Sequence, residues 1–502
     1  MPLRPTIFWT MLLTMALLLP VGCAVGPDYD PPEIDPPGAW RNRDETGIIG
    51  GEADPLALVR WWETLRDPML SRLMTLAVRG NPDLREAVAR VREARARRGI
   101  AWSDLFPELA GSGEAGRRRT SENSVRGTGE TRDLYALGFD AGWEIDVFGG
   151  TRRAVEAADA DLEASIEDLR DVQVSLLAEV ALNYIEARTF QTRLDVAGAN
   201  LQAQEKTFDF TRSRFKAGLS NELAVQQARY NLASTRSRIP TLRTGLEAAK
   251  NRLAVLLGAP PGAVHERLAK RRPAPVVPPR VAVGVPAETL RRRPDVRRAE
   301  RELAAQTARV GVATAELYPK FRLTGSIGLE SVSTGNLLDA ASGAWGWGSG
   351  FSWRIFEFGA VRRAIDVQSA RQEQALVRYE KTLLTALEEV ENALTAYGQE
   401  QIRRGSLYTA TDSAEQAVTL SWDQYKAGLI DFTDVLDAQR SLLSLQDELA
   451  LSTGAVTANL VRLYKALGGG WRFMAAETPG SGGRRGGVPG TAPGRTANTP
   501  PG

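Results

Sequence analysis

The sequence predicts an internally duplicated α+β membrane protein, with strands that form part of a shared transmembrane β-barrel continued by a long α-helical coiled coil. Three observations predict it. The stretches "FKAGLSNELAVQQAR" from Phe215 and "YKAGLIDFTDVLDAQR" from Tyr425 repeat one pattern at an offset of 210, pairing Val225 with Val435, Leu253 with Leu463 and Gly258 with Gly468 without a gap. Such fixed-offset self-similarity over roughly 200 residues describes two copies of one unit rather than a short solenoid repeat. Second, each copy contains segments that alternate apolar and polar residues with a period of two. Third, each contains about 65 residues without proline, Thr151 to Phe215 and Val361 to Tyr425, enough at 1.5 Å per residue for a helix of roughly 95 Å.

The elements follow in chain order. "MPLRPTIFWTMLLTMALLLPVGCAVGPDY" opens with one arginine and an apolar run that ends in small residues before Cys23, the layout of a secretory signal over residues 1–22. Gly22-Cys23 resembles a bacterial lipoprotein cleavage box, although Pro20 stands where that box usually has leucine. The resemblance implies lipid attachment at Cys23, and Ala24 after it resembles lipoproteins sorted to the outer membrane. Residues 23–66, rich in proline at their start, read as an extended lipid-anchored lead. A first structural repeat then spans 67–258, a linker 259–285, a second repeat 286–471, and a flexible Gly/Pro-rich tail 472–502.

Each repeat begins with helix, at "NPDL" and "RPDV", where Pro82 and Pro294 fall in a first turn. The period then changes. "LYALGFDAGWEIDVFG" puts Tyr135, Leu137, Phe139, Ala141, Trp143, Ile145 and Val147 on one face and Asp140, Glu144 and Asp146 on the other. "KFRLTGSIGLE" alternates likewise, and "WGWGSGFSWRIFEFG" aligns Trp345, Trp347, Phe351, Trp353 and Ile355. Strands are predicted at about 106–119, 132–148, 320–333 and 345–358. One greasy and one polar face suit a barrel between lipid and water. Four strands cannot close such a barrel and an open edge is not tolerated in lipid, so several chains must share one.

The long helices need partners. Leu376, Tyr379, Leu383, Leu387, Val390, Leu394 and Tyr397 recur every three or four residues, and Val435, Ala438, Leu442, Leu445, Leu449, Val456, Leu460, Leu463 and Leu467 keep that spacing on the return. This is a coiled-coil seam. Pro240 predicts a kink in the first returning helix. Gly218 and Gly428 are placed to end the outgoing helices in the left-handed conformation, with Asn221 and Asp431 capping the returning ones. The Lys-Ala-Gly-Leu corner occurs twice because each copy ends in a helical hairpin tip.

Composition excludes much else. Cys23 and His265 are the only cysteine and histidine, which removes disulfides, cysteine-rich zinc sites and most histidine acid-base chemistry. A net charge of +2 offers no field for nucleic acid. Beyond the signal only Met69, Met74 and Met474 occur, so no methionine cluster hints at copper. No cofactor, metal site or catalytic residue is expected, and the chain does not read as an enzyme.

Together, "GCAVGPDY", "WEIDVFG", "RRPDVRRAE", "YKAGLIDFTDVLDAQR" and "ALGGGW" resemble the TolC-type outer-membrane efflux family over about residues 23–471, specifically the lipoprotein branch, OprM/NodT-like, of tripartite RND efflux systems. The resemblance implies a homotrimer with a twelve-stranded barrel among outer-membrane lipid and a periplasmic tunnel. It implies partners as well, a periplasmic adaptor and an inner-membrane RND-type transporter that drives export through a passive, gated duct. Lys216, Ala217, Gly218 and Leu219, with Lys426, Ala427, Gly428 and Leu429, would form the adaptor-docking tips. Acids at Asp434 and Asp437 would line the periplasmic gate, and Tyr425 would belong to the bonding that keeps it shut. Ile430 and Ala224 stand where some members differ, one of them with a bonding arginine, so the lock is expected to be wired differently. The alternatives are a duct for type I protein secretion and a non-conducting structural coiled-coil lipoprotein.

Overall fold

The computed structural model describes residues 24–33, 36–49, 58–123, 129–275, 277–278 and 281–471. The signal, Cys23 and the tail from 472 lie outside the described residues. After a short strand β1 (Ile48–Ile49) and a 3-10 turn (Trp61–Leu65), the first half runs α1 (Pro68–Gly80), α2 (Pro82–Ser103), β2 (Glu108–Arg119), β3 (Thr131–Ile145), α3 (Gly150–Lys216) and α4 (Glu222–Leu256). The second half follows as β4 (Val281–Ala282), α5 (Pro286–Arg292), α6 (Pro294–Ala315), β5 (Lys320–Ser331), β6 (Gly343–Ser352), α7 (Ala360–Lys426) and α8 (Phe432–Ala466). The duplication is visible in the lengths: α2 and α6 have 22 residues each, α3 and α7 67, α4 and α8 35. At 1.5 Å per residue the long helices span roughly 100 Å.

β2, β3, β5 and β6 form one antiparallel sheet in that order. Its register places Leu109 beside Ala141, Phe139 beside Ile327, and Ile327 beside Trp345, all on one face. Glu108, Asp140, Arg322, Thr324 and Ser326 fall on the other. The apolar face is bare: Leu109, Phe139, Ile327, Trp345, Trp347 and Phe351 are all more than half exposed. β2 and β6 leave both outer edges unpaired in the single chain.

Two strands end earlier than the alternation predicted. β3 stops at Ile145 because the Asp146 carboxylate turns to accept the Thr151 and Arg152 amides at 3.2 and 2.9 Å, serving the start of α3. β6 stops at Ser352, which pairs with Lys320, the first residue of β5, so no ladder partner exists beyond it and Trp353 and Ile355 are not strand residues. Trp353 instead donates Nε1–H to the Leu317 carbonyl at 2.9 Å, as Trp143 does to Leu105 at 3.0 Å. These duplicated tryptophans tie each sheet segment to the end of the helix before it.

The main core lies at mid-length of the long helices, as a waist. Leu177, Tyr184 and Ile185 of α3 meet Val390, Leu394 and Tyr397 of α7, Leu253 of α4, and Leu460 and Leu463 of α8. Leu70, Leu73 and Met74 of α1 close it, and Trp61 stacks on Tyr464 with centroids 5.7 Å apart. Away from the waist the hairpins run as slender pairs, α3 on α4 and α7 on α8, with α3 also against α8. α4 passes through Pro240, which stands exposed, without interruption.

The lead segment is bound rather than loose. The Val25 amide donates to the Phe148 carbonyl at 3.0 Å, and Ala24 lies against Gly149, where a Cβ would sit 2.6 Å from the Ala24 Cα. Arg153, buried, donates to the Val25 carbonyl at 3.3 Å and pairs with Asp28 and Glu156. Residue 24 therefore stands at the junction of sheet and long helix. Among the described residues no helix is long and apolar enough to cross a membrane.

Candidate functional site

The hairpin tips are built twice from the same bonds. Gly218 and Gly428 take φ of +74° and +73°, which an L side chain adopts only at a cost. Leu219 N–H closes back on the Arg214 carbonyl at 2.9 Å, and Leu429 N–H on Gln424 at 2.9 Å, satisfying carbonyls that the helix end would orphan. No atom lies within 4 Å of a Cβ at either glycine, so the requirement is conformational, not spatial. Asn221 accepts the Ala224 amide at 2.9 Å as the cap of α4. All eight residues Lys216–Leu219 and Lys426–Leu429 are exposed, with Leu219 and Leu429 presenting 66% and 74% of their surface. Each tip thus presents an exposed leucine and an exposed lysine, with Lys426 paired to Asp423 at 3.3 Å.

The two tips share a small core. Ala224 and Ala228 of the first hairpin pack with Tyr425, Phe432, Val435 and Leu436 of the second, flanked by Phe208, Trp422 and Ile430. Tyr425 lies inside this cluster, its ring 5.4 Å from Phe432 and 6.0 Å from Trp422, under the Arg214 guanidinium at 5.1 Å. Ile430 and Ala224, the positions expected to alter the lock, are both part of it.

The two acids have local partners. The Asp431 amide donates to the Asp434 carboxylate at 3.2 Å, and the Asp434 amide to the Asp431 carbonyl at 3.2 Å, so Asp434 helps to close the start of α8. Asp437 pairs with Arg440 at 2.9 Å. Both carboxylates are exposed. Arg440 was not singled out in the sequence, and it connects the hairpins: its Nε donates to Asn231 at 3.3 Å and its other arm reaches the Tyr230 hydroxyl, both on α4. The signal was present in "DVLDAQR", since an arginine three residues after an aspartate on a helix is a candidate pair. Its reach to α4 is not readable that way. Gln439 adds a second tie, donating to Thr207 of α3 at 3.0 Å.

A further residue explains the motif "RRPDVRRAE". Arg293, buried at the entry to α6, donates two hydrogen bonds to the Asp295 carboxylate at 3.0 and 2.7 Å, pairs with Glu389 of α7 at 2.6 Å and donates to the Ala466 carbonyl at the end of α8 at 2.9 Å. Burial pushes the Asp295 carboxyl up, but the Arg293 bonds and charge reverse this and hold it below the ordinary value. Asp171 goes the other way, raised by burial and by the Asp295 charge.

Residues 73–259 and 285–469 match the outer membrane efflux protein family. The chain is 32% identical to nodulation protein T of Rhizobium leguminosarum bv. trifolii over 94% of this chain and 98% of that protein. It is 33% identical to the solvent efflux pump outer membrane protein SrpC of Pseudomonas putida, over 91% and 97%. Among solved structures the outer-membrane channel OprN superposes with a TM-score of 0.84 at 36% identity, covering 90% of this chain and all of that one. The chain therefore belongs to the outer membrane efflux protein family and is the outer-membrane channel of an efflux pump, seated in the cell outer membrane and extending into the periplasm.

Proposed function

We propose that three copies of this chain assemble into a passive, gated duct for small toxic compounds, driven by an inner-membrane transporter through a periplasmic adaptor. The observation that carries the reading is the sheet: four strands, two unpaired edges and one bare apolar face in a single chain. In lipid an unpaired edge is too costly to persist, and pairing β2 of one copy with β6 of the next removes it. Three copies give twelve strands, and their hairpins then close into a tube below. Cys23 carries the lipid that anchors the lead segment, and Ala24 beside Gly149 starts that segment at the level where the sheet begins.

The exposed tips receive the adaptor. Charge reversal at Lys216 or Lys426 leaves assembly intact and weakens efflux, read as increased drug sensitivity at equal outer-membrane level; unchanged sensitivity in both variants leaves those residues a turn role only. The duct itself is tested on purified protein. Its mass in detergent should be that of a trimer, and it should conduct ions in planar bilayers once the tips are opened. A monomer, or a trimer that never conducts, removes the proposal. Incorporation of labelled fatty acid that is lost in Cys23→Ser tests the anchor separately.

A further inference from the structure

Within each half the strand ladders are equivalent. β2 on β3 matches β5 on β6 at an offset of 212 residues for the first strand and 210 for the second, so that Glu108 beside Gly142 becomes Lys320 beside Ser352. The two halves are joined by β3 on β5, where Trp143, Glu144 and Ile145 pair with Leu323, Arg322 and Phe321. Next to that ladder α3 lies against α6, and Phe148 stacks on Tyr318 with ring centroids 4.6 Å apart.

Each chain carries the two sides of a second such joint at opposite edges, where they cannot meet. At the same offsets β6 and β2 take the places of β3 and β5, and they are the open edges of the sheet. Trp353, Arg354 and Ile355 correspond to the last three residues of β3, yet β6 ends before them, at Ser352. Phe358 corresponds to Phe148, and Phe106 to Tyr318. These two rings do not stack: Phe358 is 93% exposed and Phe106 50%. Each has an aromatic neighbour on its own edge, Phe356 at 4.8 Å and Trp102 at 4.5 Å. Phe358 also holds φ at +50°, which costs an L side chain free energy, whereas Phe148 is not in the left-handed region.

We propose that the next copy completes this joint: β6 lengthens to Ile355 along β2 of its neighbour, pairing Ile355 with Leu109, Arg354 with Ala110 and Trp353 with Gly111, and Phe358 stacks on Phe106 of that copy. The register is the β3–β5 ladder transposed by the two offsets. It keeps the faces matched, because Ile355 continues the apolar face of Trp345, Trp347 and Phe351 and meets Leu109 of the same face. Phe351 and Trp353 come to lie opposite Gly113 and Gly111, large rings over residues without side chains. Arg354 lies opposite an alanine, and no like charges stand directly across. Following the path of the first half also takes Phe358 out of its left-handed conformation. The inference rests on the trimer reading and adds to it the register and the aromatic contact.

Two measurements test it. In the wild-type trimer in detergent, amide-exchange protection over residues 353–355 should match that over 143–145; exchange at the rate of unpaired chain overturns the lengthened strand. Oxidised cysteine pairs read the register. Ile355→Cys with Leu109→Cys, and Arg354→Cys with Ala110→Cys, lie directly across the new ladder on opposite faces, so one of them is a non-hydrogen-bonded pair with Cα atoms about 4.5 Å apart. That pair should give disulfide-linked species of up to three chains on a denaturing gel, and neither substitution alone should, although Cys23 is present in all. Links that form instead between Ile355→Cys and Gly111→Cys, two residues out of register, overturn the register. If the cysteine variants fail to assemble, exchange in the wild type decides. An assembled trimer with fast exchange and no link, as lipid or detergent against the edge would give, overturns the joint and leaves the duct standing. A protein that stays a monomer overturns both.

Discussion

Asp437 and Arg293 illustrate how much a side chain's role depends on what lies opposite it. Asp434 and Asp437 are helix-end acids in the single chain, one closing the first turn of α8 and the other paired with Arg440. If three copies bring them together at an axis, each becomes a ring that favours cations, and Arg440 becomes the clasp that holds the ring near α4. Replacing both acids by alanine should reduce cation selectivity and block by divalent ions in bilayer recordings, with assembly unaffected. It should also free Arg440 from one of its anchors, so the variant should open more readily. Unaltered selectivity in an assembled trimer would leave these acids a capping role alone. For Arg293, replacement by alanine leaves the largely buried Asp295 without its partner and releases the exposed Glu389, a loss of about 3 kcal/mol, read as a lower melting temperature in detergent. The linked pH dependence has a defined sign. Because folding depresses the Asp295 pKa, its stabilisation is fully present above the ordinary carboxylate value and is lost as pH falls through the lower folded value. The melting advantage of the wild type over Asp295→Asn should therefore be constant near neutrality and shrink below about pH 4.

At the scale of elements, the helices depend on close approach as much as on greasy seams. Gly454 of α8 faces Thr189 of α3, and a Cβ there would come 2.1 Å from the Thr189 hydroxyl oxygen. Gly454→Ala should push the two hairpins apart at a cost of about 1–3 kcal/mol, and Thr189→Ala in the same chain should recover most of it by removing the nearest atom. Thermal melts of the single and double variants check this; an additive double variant would mean that the two residues do not touch. The seam residues Val390, Leu394 and Tyr397 were legible because one spacing governs any helix with a buried stripe. The position of Gly454 was not, since a glycine inside a helix looks the same in sequence whether it is tolerated or required.

Across the whole molecule the decisive feature is a sheet that is unfinished in one chain. Its apolar face, bare in the monomer, is the face that lipid would cover. Trp347→Arg on that face should cost about 2–4 kcal/mol if it lies near the bilayer midplane, and should lower the yield of assembled protein in the outer membrane. Ser326→Arg, on the opposite face of the same sheet, should insert normally. Equal yields would show that the two faces are not divided between lipid and water. The waist core lies midway along the rods, so a long slender molecule is held by one apolar girdle with thinner contacts above and below. That distribution predicts that the tips open at a lower free energy than the waist, which faster amide exchange at the tips would show.

By itself the sequence determined what depends on short-range pattern. The duplication, the two faces of the strands, the proline-free helices and the left-handed glycines at Gly218 and Gly428 all follow from spacing within a few residues or from one fixed offset. Tertiary structure alone decided what depends on distant partners. β6 ends at Ser352 because β5 begins at Lys320, although the alternation of side chains continues to Ile355. Tyr425 sits in a core shared by both hairpins, Arg440 crosses to Tyr230 and Asn231, and residues of four helices line one cleft. Periodicity says which side of an element is buried, but not which neighbour buries it, because every apolar stripe is satisfied by any complementary surface until the chain's connections exclude all but one.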